Sequence, residues 1–223
     1  MSNNVIAIDG PAASGKSTVA RRVAAATGGC YVDSGALYRA VTWQALRKGL
    51  NTADPAATVR LAQELPIEFF LVDGAVRFRV DGIEPGRELR TETINQNVSK
   101  VAATPGVRQK VGDWLRDMTR FGGLVVEGRD IGTAVFPAAR HKFYLDASAE
   151  ERARRRYAEM VDGKLPLTQK AVDESLKKRD QMDSTRKADP LKTAPDAVVI
   201  DSTNMGIDEV AQFIVAQVVK KSN

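Results

Sequence analysis

The sequence predicts an α/β fold in which a five-stranded parallel sheet is flanked by helices. Three observations carry that prediction. Short apolar runs at residues 5–8, 124–127, 142–145 and 197–200, with a shorter one at 30–32, read as buried strands. Helical patterns lie between them, and alternation of the two implies parallel pairing with both sheet faces covered. The third is Gly10-Pro11-Ala12-Ala13-Ser14-Gly15-Lys16-Ser17, which fits the phosphate-loop pattern GxxxxGKS/T at every fixed position.

The context of that pattern gives it a mechanism. A strand precedes it and a helix-like run over residues 18–26 follows. Glycines let the backbone curl so that N–H groups point inward, and the helix N-terminus adds its dipole; together they cradle phosphates. Lys16 would reach the β- and γ-phosphates, and the Ser17 hydroxyl would ligate Mg²⁺. Residues 10–18, closing with Thr18, form the candidate ATP site.

Further along, Val107, Val111, Leu115 and Met118 recur at helical spacing, with Pro105 at the start and Gly122-Gly123 closing the run. Ile207, Val210, Ala211, Ile214 and Val218 mark a C-terminal helix. Residues 67–71 and 76–80 break the alternation. They are strand-like, and Asp73-Gly74 and Asp81-Gly82 are hairpin signals, so a small antiparallel meander is expected between the second and third core strands. A second insertion, residues 150–190, is highly charged, with Arg152, Arg154, Arg155 and Arg156 in one run. The division that follows is a core of residues 1–33, 104–149 and 191–223, an inserted acceptor-binding domain of 34–103, and a short helical lid with adjoining helices at 150–190.

Bulk composition narrows the class. The chain has 223 residues, 43% hydrophobic and 27% charged, with a net charge of +5. That suits a globular protein with a sizeable core. No long basic stripe with interleaved aromatics indicates a nucleic-acid partner, and no apolar run approaches a membrane span. The N-terminus lacks a signal pattern, and the one cysteine, Cys30, sits in an apolar setting. A cytoplasmic monomer acting on small-molecule nucleotides is the expectation. His141, the sole histidine, reads as structural, and no Cys/His cluster suggests zinc.

A phosphate loop alone names no substrate. The guanine-reading NKxD motif and a DxxG switch are missing. The segment Asp33-Ser34-Gly35-Ala36-Leu37-Tyr38-Arg39 follows the second strand, where nucleoside monophosphate kinases place their acceptor site. With Ile8–Pro11, Arg90-Thr91, Glu127–Thr133, Phe136-Pro137, Leu145–Ser148, Glu151-Arg152-Ala153 with Arg155-Arg156, Arg179-Asp180, Asp183, Arg186 and Asp201–Thr203, the chain resembles bacterial cytidylate kinases from residue 6 to 203. The pattern departs at Ala12-Ala13-Ser14, where small residues and glycine are usual, and matches weakly after Arg156.

The resemblance implies a P-loop NTPase fold and transfer of the γ-phosphoryl group of ATP to CMP or dCMP. Both reactants are anionic, so the site needs arginines and a metal more than a nucleophilic side chain. Arg39 and Arg129 are candidate clamps on the acceptor phosphate, because guanidinium forks match phosphate oxygens bidentately. Arg155 and Arg156 suit a lid that brings charge over ATP, with Asp162-Gly163 as its tip. The resemblance assigns Ser34 to the acceptor site and Arg108, Ser99 and Asp130 to the base. It places Arg179 and Asp183 at the sugar and Arg186 at a phosphate. The Arg179/Asp183 spacing alone equally fits a solvated helix ion pair. A kinase for UMP or another small acceptor, and a regulatory protein that uses ATP only as a ligand, are the other readings; the acceptor block and the arginine-rich insertion argue against the second.

Overall fold

A computed structural model describes residues 4–162 and 168–222. Chain order is β1 (Val5–Asp9), α1 (Lys16–Thr27), β2 (Cys30–Asp33), α2 (Ser34–Arg47), α3 (Pro55–Glu64), β3 (Ile67–Val72), β4 (Ala75–Val80), α4 (Glu92–Ala102) and α5 (Pro105–Asp117). Then come β5 (Leu124–Gly128), β6 (His141–Asp146), α6 (Ala149–Asp162), α7 (Gln169–Thr185), β7 (Val198–Asp201) and α8 (Ile207–Ser222). One sheet holds all seven strands in the order β3-β4-β2-β5-β1-β6-β7.

Six of those strands run parallel, β3 alone being antiparallel, with β1 paired to β5 and β6 at the centre. Strand periodicity divides the core. Val5 and Ala7 of β1 face the layer of α2–α5, where they meet Leu37, Val98, Val111 and Leu115. Ile6 and Ile8 face the other layer, against Val19 and Val23 of α1 and Val210 and Ile214 of α8. Burial on both faces explains why these strands read as unbroken apolar runs.

The insertion corrects the five-strand expectation. In place of a separate meander, a two-stranded hairpin extends the main sheet. Asp73-Gly74 and Asp81-Gly82 both adopt positive φ, as their turn signals required. After the second turn only a bridge between Val80 and Ile83 follows. The hairpin docks on the edge of β2 through one register pair, Tyr31 with Ala75, where the Tyr31 N–H donates to the Gly74 carbonyl at 2.8 Å. An otherwise open strand edge is thereby covered.

The C-terminal ends of β1, β2 and β5 deliver Asp9, Asp33 and Gly128 to one rim, where open α/β sheets bind ligands. A third apolar cluster, Ala12 with Ala153, Val172 and Leu176, seats α6 and α7 against that rim. Cys30 and His141 are buried in the body of the sheet, as their structural readings held. Gly163, the expected lid tip, lies outside the described residues, as does the side chain of Asp162.

Leu115 is fully buried between the sheet and α2–α5. Leu115→Ala is expected to cost about 2–5 kcal/mol of unfolding free energy, read from the denaturation midpoint at unchanged m-value. A loss below about 1 kcal/mol would mean that this layer is loosely packed.

Candidate active site

The phosphate loop leaves β1 at Asp9 and turns into α1 at Lys16. Gly10 is required by space: a Cβ there would stand 2.0 Å from the Leu145 carbonyl oxygen. Gly15 caps α1 in the left-handed region at φ 91°, and Ala13 adopts φ 60° without the freedom of glycine.

Lys16 is not in a solvent-facing loop, as a lysine in a glycine-rich turn suggests. It is 4% exposed, and its Nζ donates to the Pro11 carbonyl at 2.5 Å and to Ser14 Oγ at 3.2 Å. Burial, and then the nearby Arg129 charge, push its pKa from the ordinary 10.5 down to about 7. Two buried carboxylates stand close by. The Asp9 pKa rises to about 6, driven by burial against two hydrogen bonds: Asp9 accepts from the Ile131 N–H at 2.8 Å and the Gly132 N–H at 2.7 Å. Glu127 is also raised, first by burial and then by the Asp33 charge. It accepts from the Tyr31 hydroxyl at 2.7 Å and from the Ser17 side chain.

A cavity of about 330 Å³ opens over the loop, lined by residues 12–18 together with Arg21, Asp33, Arg39, Arg90, Glu127, Arg129, Arg156, Leu176 and Arg179. Arg39 lies 3.7 Å and Arg90 3.8 Å from Asp33, whose Oδ1 also caps α2 by accepting from the Ala36 N–H. The Arg39 Nε is buried and makes no hydrogen bond among the described residues. A basic cavity with so few acceptors is suited to polyanions.

A second cavity adjoins it, lined by Asp33, Ser34, Tyr38, Ser99, Glu127, Arg129, Asp130, Arg179, Asp183 and Arg186. Asp33, Glu127, Arg129 and Arg179 line both. Along the second cavity a buried network sets the side chains. Arg108 pairs with Asp130, donates through Nε to Asp189 at 2.9 Å and bonds the Ala102 carbonyl at 3.1 Å. Arg186 bonds Asp130 Oδ1 at 3.1 Å. It lines the acceptor cavity and not the phosphate-loop cavity.

Asp183 and Arg179 are not a solvated pair. Asp183 is buried and accepts from Arg129 Nε at 2.9 Å. The Arg179 Nε is buried without a hydrogen bond among the described residues, and burial, then Arg129, lower its pKa to about 9. Arg156 lines the loop cavity, but Arg155 does not. Arg155 bonds Glu151, the Ser14 carbonyl and Ser202. Sequence reasoning gave no role to Asp9, Glu127, Arg21 or Arg90. Asp9, Glu127 and Arg90 stand inside the motif segments that carry the resemblance, and that proximity was the available signal.

The cytidylate kinase sequence pattern matches residues 6–220. The chain belongs to the cytidylate kinase family. A cytidylate kinase of Desulforamulus reducens is 46% identical over 215 residues, covering 96% of each chain. One from Fusobacterium nucleatum subsp. nucleatum is 40% identical over 220 residues, covering 99% of each. A crystal structure from Thermus thermophilus shares the fold, with TM-score 0.52 at 19% identity over 98% of this chain and 97% of the other. Membership makes the protein a kinase that transfers the γ-phosphoryl group of ATP to CMP or dCMP in pyrimidine nucleotide metabolism. Among the described residues no helix is long and apolar enough to cross a membrane.

The Lys16 shift fixes a pH dependence. Between about pH 7 and 10.5 the folded protein binds fewer protons at Lys16 than the unfolded chain, so the stability attributable to this residue rises with pH. Below pH 7 the fold must hold a buried ammonium. Lys16→Met is expected to be more stable than the parent at pH 6, with the gain shrinking toward pH 10. Denaturant midpoints at several pH values check this; a gain that is constant or grows with pH contradicts the burial of the charge.

Proposed function

We propose that ATP binds on the phosphate loop, that CMP or dCMP fills the adjoining cavity, and that transfer occurs where Arg129, Arg179, Glu127 and Asp33 line both. That shared wall is the observation that carries the reading. Loop amides and Lys16 would bind the β- and γ-phosphates of ATP, with Arg156 facing the same cavity. Arg39, Arg129 and Arg179 would clamp the acceptor phosphate and bring its oxygen in line with the γ-phosphorus. No side-chain nucleophile is needed, since that oxygen attacks directly.

The donor set beside the loop fits Mg²⁺. The Ser17 hydroxyl lies against the Glu127 carboxylate, and Asp33 is near Glu127. Ser17 would be the direct ligand, and the carboxylates would orient metal-bound water, because Mg²⁺ keeps several waters and takes few protein ligands. A magnesium ion held there supplies neutralisation of the phosphate charge as it shifts toward the leaving group.

Base selection follows from Arg108 and Asp130. Cytosine offers an amino donor at N4 and acceptors at N3 and O2. Asp130 would accept from N4. Arg108 spends three of its N–H donors on Asp130, Asp189 and the Ala102 carbonyl and does not line this cavity, so its two remaining donors would have to turn toward N3 and O2 as CMP binds. Ser99 lines the same cavity. Uracil would present a donor at N3 and an acceptor at C4, leaving buried groups unpaired. Asp183, held by Arg129, would accept from the sugar hydroxyls.

The division into core, acceptor-binding segment 34–103 and lid segment 150–190 fits this placement. Ser34, Arg39 and Ser99 come from the second, and Arg156, Arg179, Asp183 and Arg186 from the third. The lone buried Cys30 suits a reducing compartment such as the cytoplasm.

The test is ADP formation with CMP, dCMP, UMP, AMP and GMP as acceptors. CMP and dCMP are expected to outrun the others in kcat/KM by roughly a hundredfold or more; equal turnover of UMP would sink the base-reading account. Asp183→Asn is expected to raise the KM for CMP roughly ten- to hundredfold, with a smaller change for ATP. Unchanged CMP kinetics in a folded variant would remove Asp183 from the acceptor site.

A further inference from the structure

Ala13 adopts φ 60° in the middle of the phosphate loop. Left-handed backbone is disfavoured for alanine and persists only where the surroundings enforce it. The enforcement is visible on both sides. Before Ala13, Asp180 Oδ1 accepts from the Ala12 N–H at 3.0 Å, and Arg152 donates to the Ala12 carbonyl at 3.2 Å. Arg152 and Asp180 pair with each other, so one ion pair grips both polar groups of a single residue. Arg152 is itself fixed by the Ala147 carbonyl at 3.1 Å. After Ala13, Arg155 donates to the Ser14 carbonyl at 3.2 Å and is anchored by Ser202 and Glu151.

These groups are well protected. Arg152 and Asp180 side chains are 14% and 19% exposed, so water and salt screen the pair weakly. Ala12, Ala153, Val172 and Leu176 pack together beneath it, which keeps α6 and α7 in place against the loop. None of the three charged side chains lines the phosphate-loop or the acceptor cavity.

We propose that Arg152, Asp180 and Arg155 are positioning residues that hold Ala13 in its left-handed conformation, so that the loop is shaped for the ATP phosphates before they arrive. The inference rests on the phosphate loop as the ATP site and deepens it: α6 and α7 act on the nucleotide through the outer surface of the loop. Asp180 adjoins Arg179 and lies one helical turn from Asp183, so the element that shapes the donor site also carries acceptor-side groups.

A thermodynamic cycle tests this. ADP affinity is measured by calorimetry on the full chain for the parent, Asp180→Ala, Ala13→Gly and the double variant. Glycine takes the left-handed conformation without penalty, so the clamp should matter less in its presence. Asp180→Ala is expected to weaken ADP binding by roughly tenfold, the scale of one left-handed alanine. The same substitution on the Ala13→Gly background should lose less, by at least about threefold. A loss under about threefold from Asp180→Ala, or the same loss on both backgrounds, overturns the proposal. If melting curves show Asp180→Ala unfolded, Asp180→Asn replaces it under the same criterion, since it removes the ion pair with little change of shape. A parent that binds no ADP would instead defeat the ATP-site reading, a distinguishable result.

Discussion

Positive charge buried at the carboxyl rim of the sheet is the constraint on which the rest of the structure depends. Lys16 is buried there with Arg129 and Arg179 half-buried beside it, and Arg129 lies close enough to depress the Lys16 pKa. Holding cations together out of water costs free energy that a polyphosphate recovers on binding. The carboxylates of Asp9, Glu127, Asp33 and Asp183 offset part of the cost, each in a defined place: Asp183 on Arg129, Asp33 near Arg39 and Arg90, Glu127 against Ser17 and Tyr31. Asp9 works at one remove. By accepting from the N–H groups of Ile131 and Gly132 it ties the phosphate-loop strand to the turn that presents Arg129 and Asp130.

This arrangement separates two tasks that a nucleotide kinase must combine. In the proposed reading, phosphate binding would draw on cations such as Arg39 and Arg179, whose Nε groups make no hydrogen bond among the described residues. On the same reading, base selection would draw on a buried network in which Asp130 is fixed by Arg108 and Arg186. An incompletely paired group is adaptable and a fully paired group is selective. Arg129 lies at the junction, between Asp183 on the acceptor side and the loop cavity on the other.

Local signals were legible in the sequence. The phosphate loop, the strand runs and the Asp-Gly turns are set by short-range sterics and periodicity, and they appear where the residues placed them. Docking of the hairpin on β2 was not legible, because one register pair at Tyr31 leaves no pattern in either strand. The burial of Lys16 was hidden for a related reason: a lysine in a glycine-rich turn looks exposed until α6, α7 and Arg129 enclose it. Arg155 and Arg156 are adjacent in sequence, yet a helix turns successive side chains about 100° apart. One therefore grips the loop from outside and the other faces the cavity. The Arg179/Asp183 spacing suggested a local pair, and the Asp183 partner came from β5's end instead. Long-range charge pairing of this kind has no signature in one sequence.

The central claim is that a cation cluster, partly discharged by burial, awaits the nucleotide phosphates. It is tested most directly by calorimetric titration of ADP at pH 8 in buffers of different ionisation enthalpy. At that pH the phosphate groups of ADP are already ionised, their last pKa being near 6, whereas Lys16, with a pKa of about 7, is mostly neutral. Bound phosphates would restore its charge, so the account predicts net proton uptake from buffer, up to about one proton per nucleotide, lost in Lys16→Met. Binding heat that is independent of the buffer, or proton release, would contradict it.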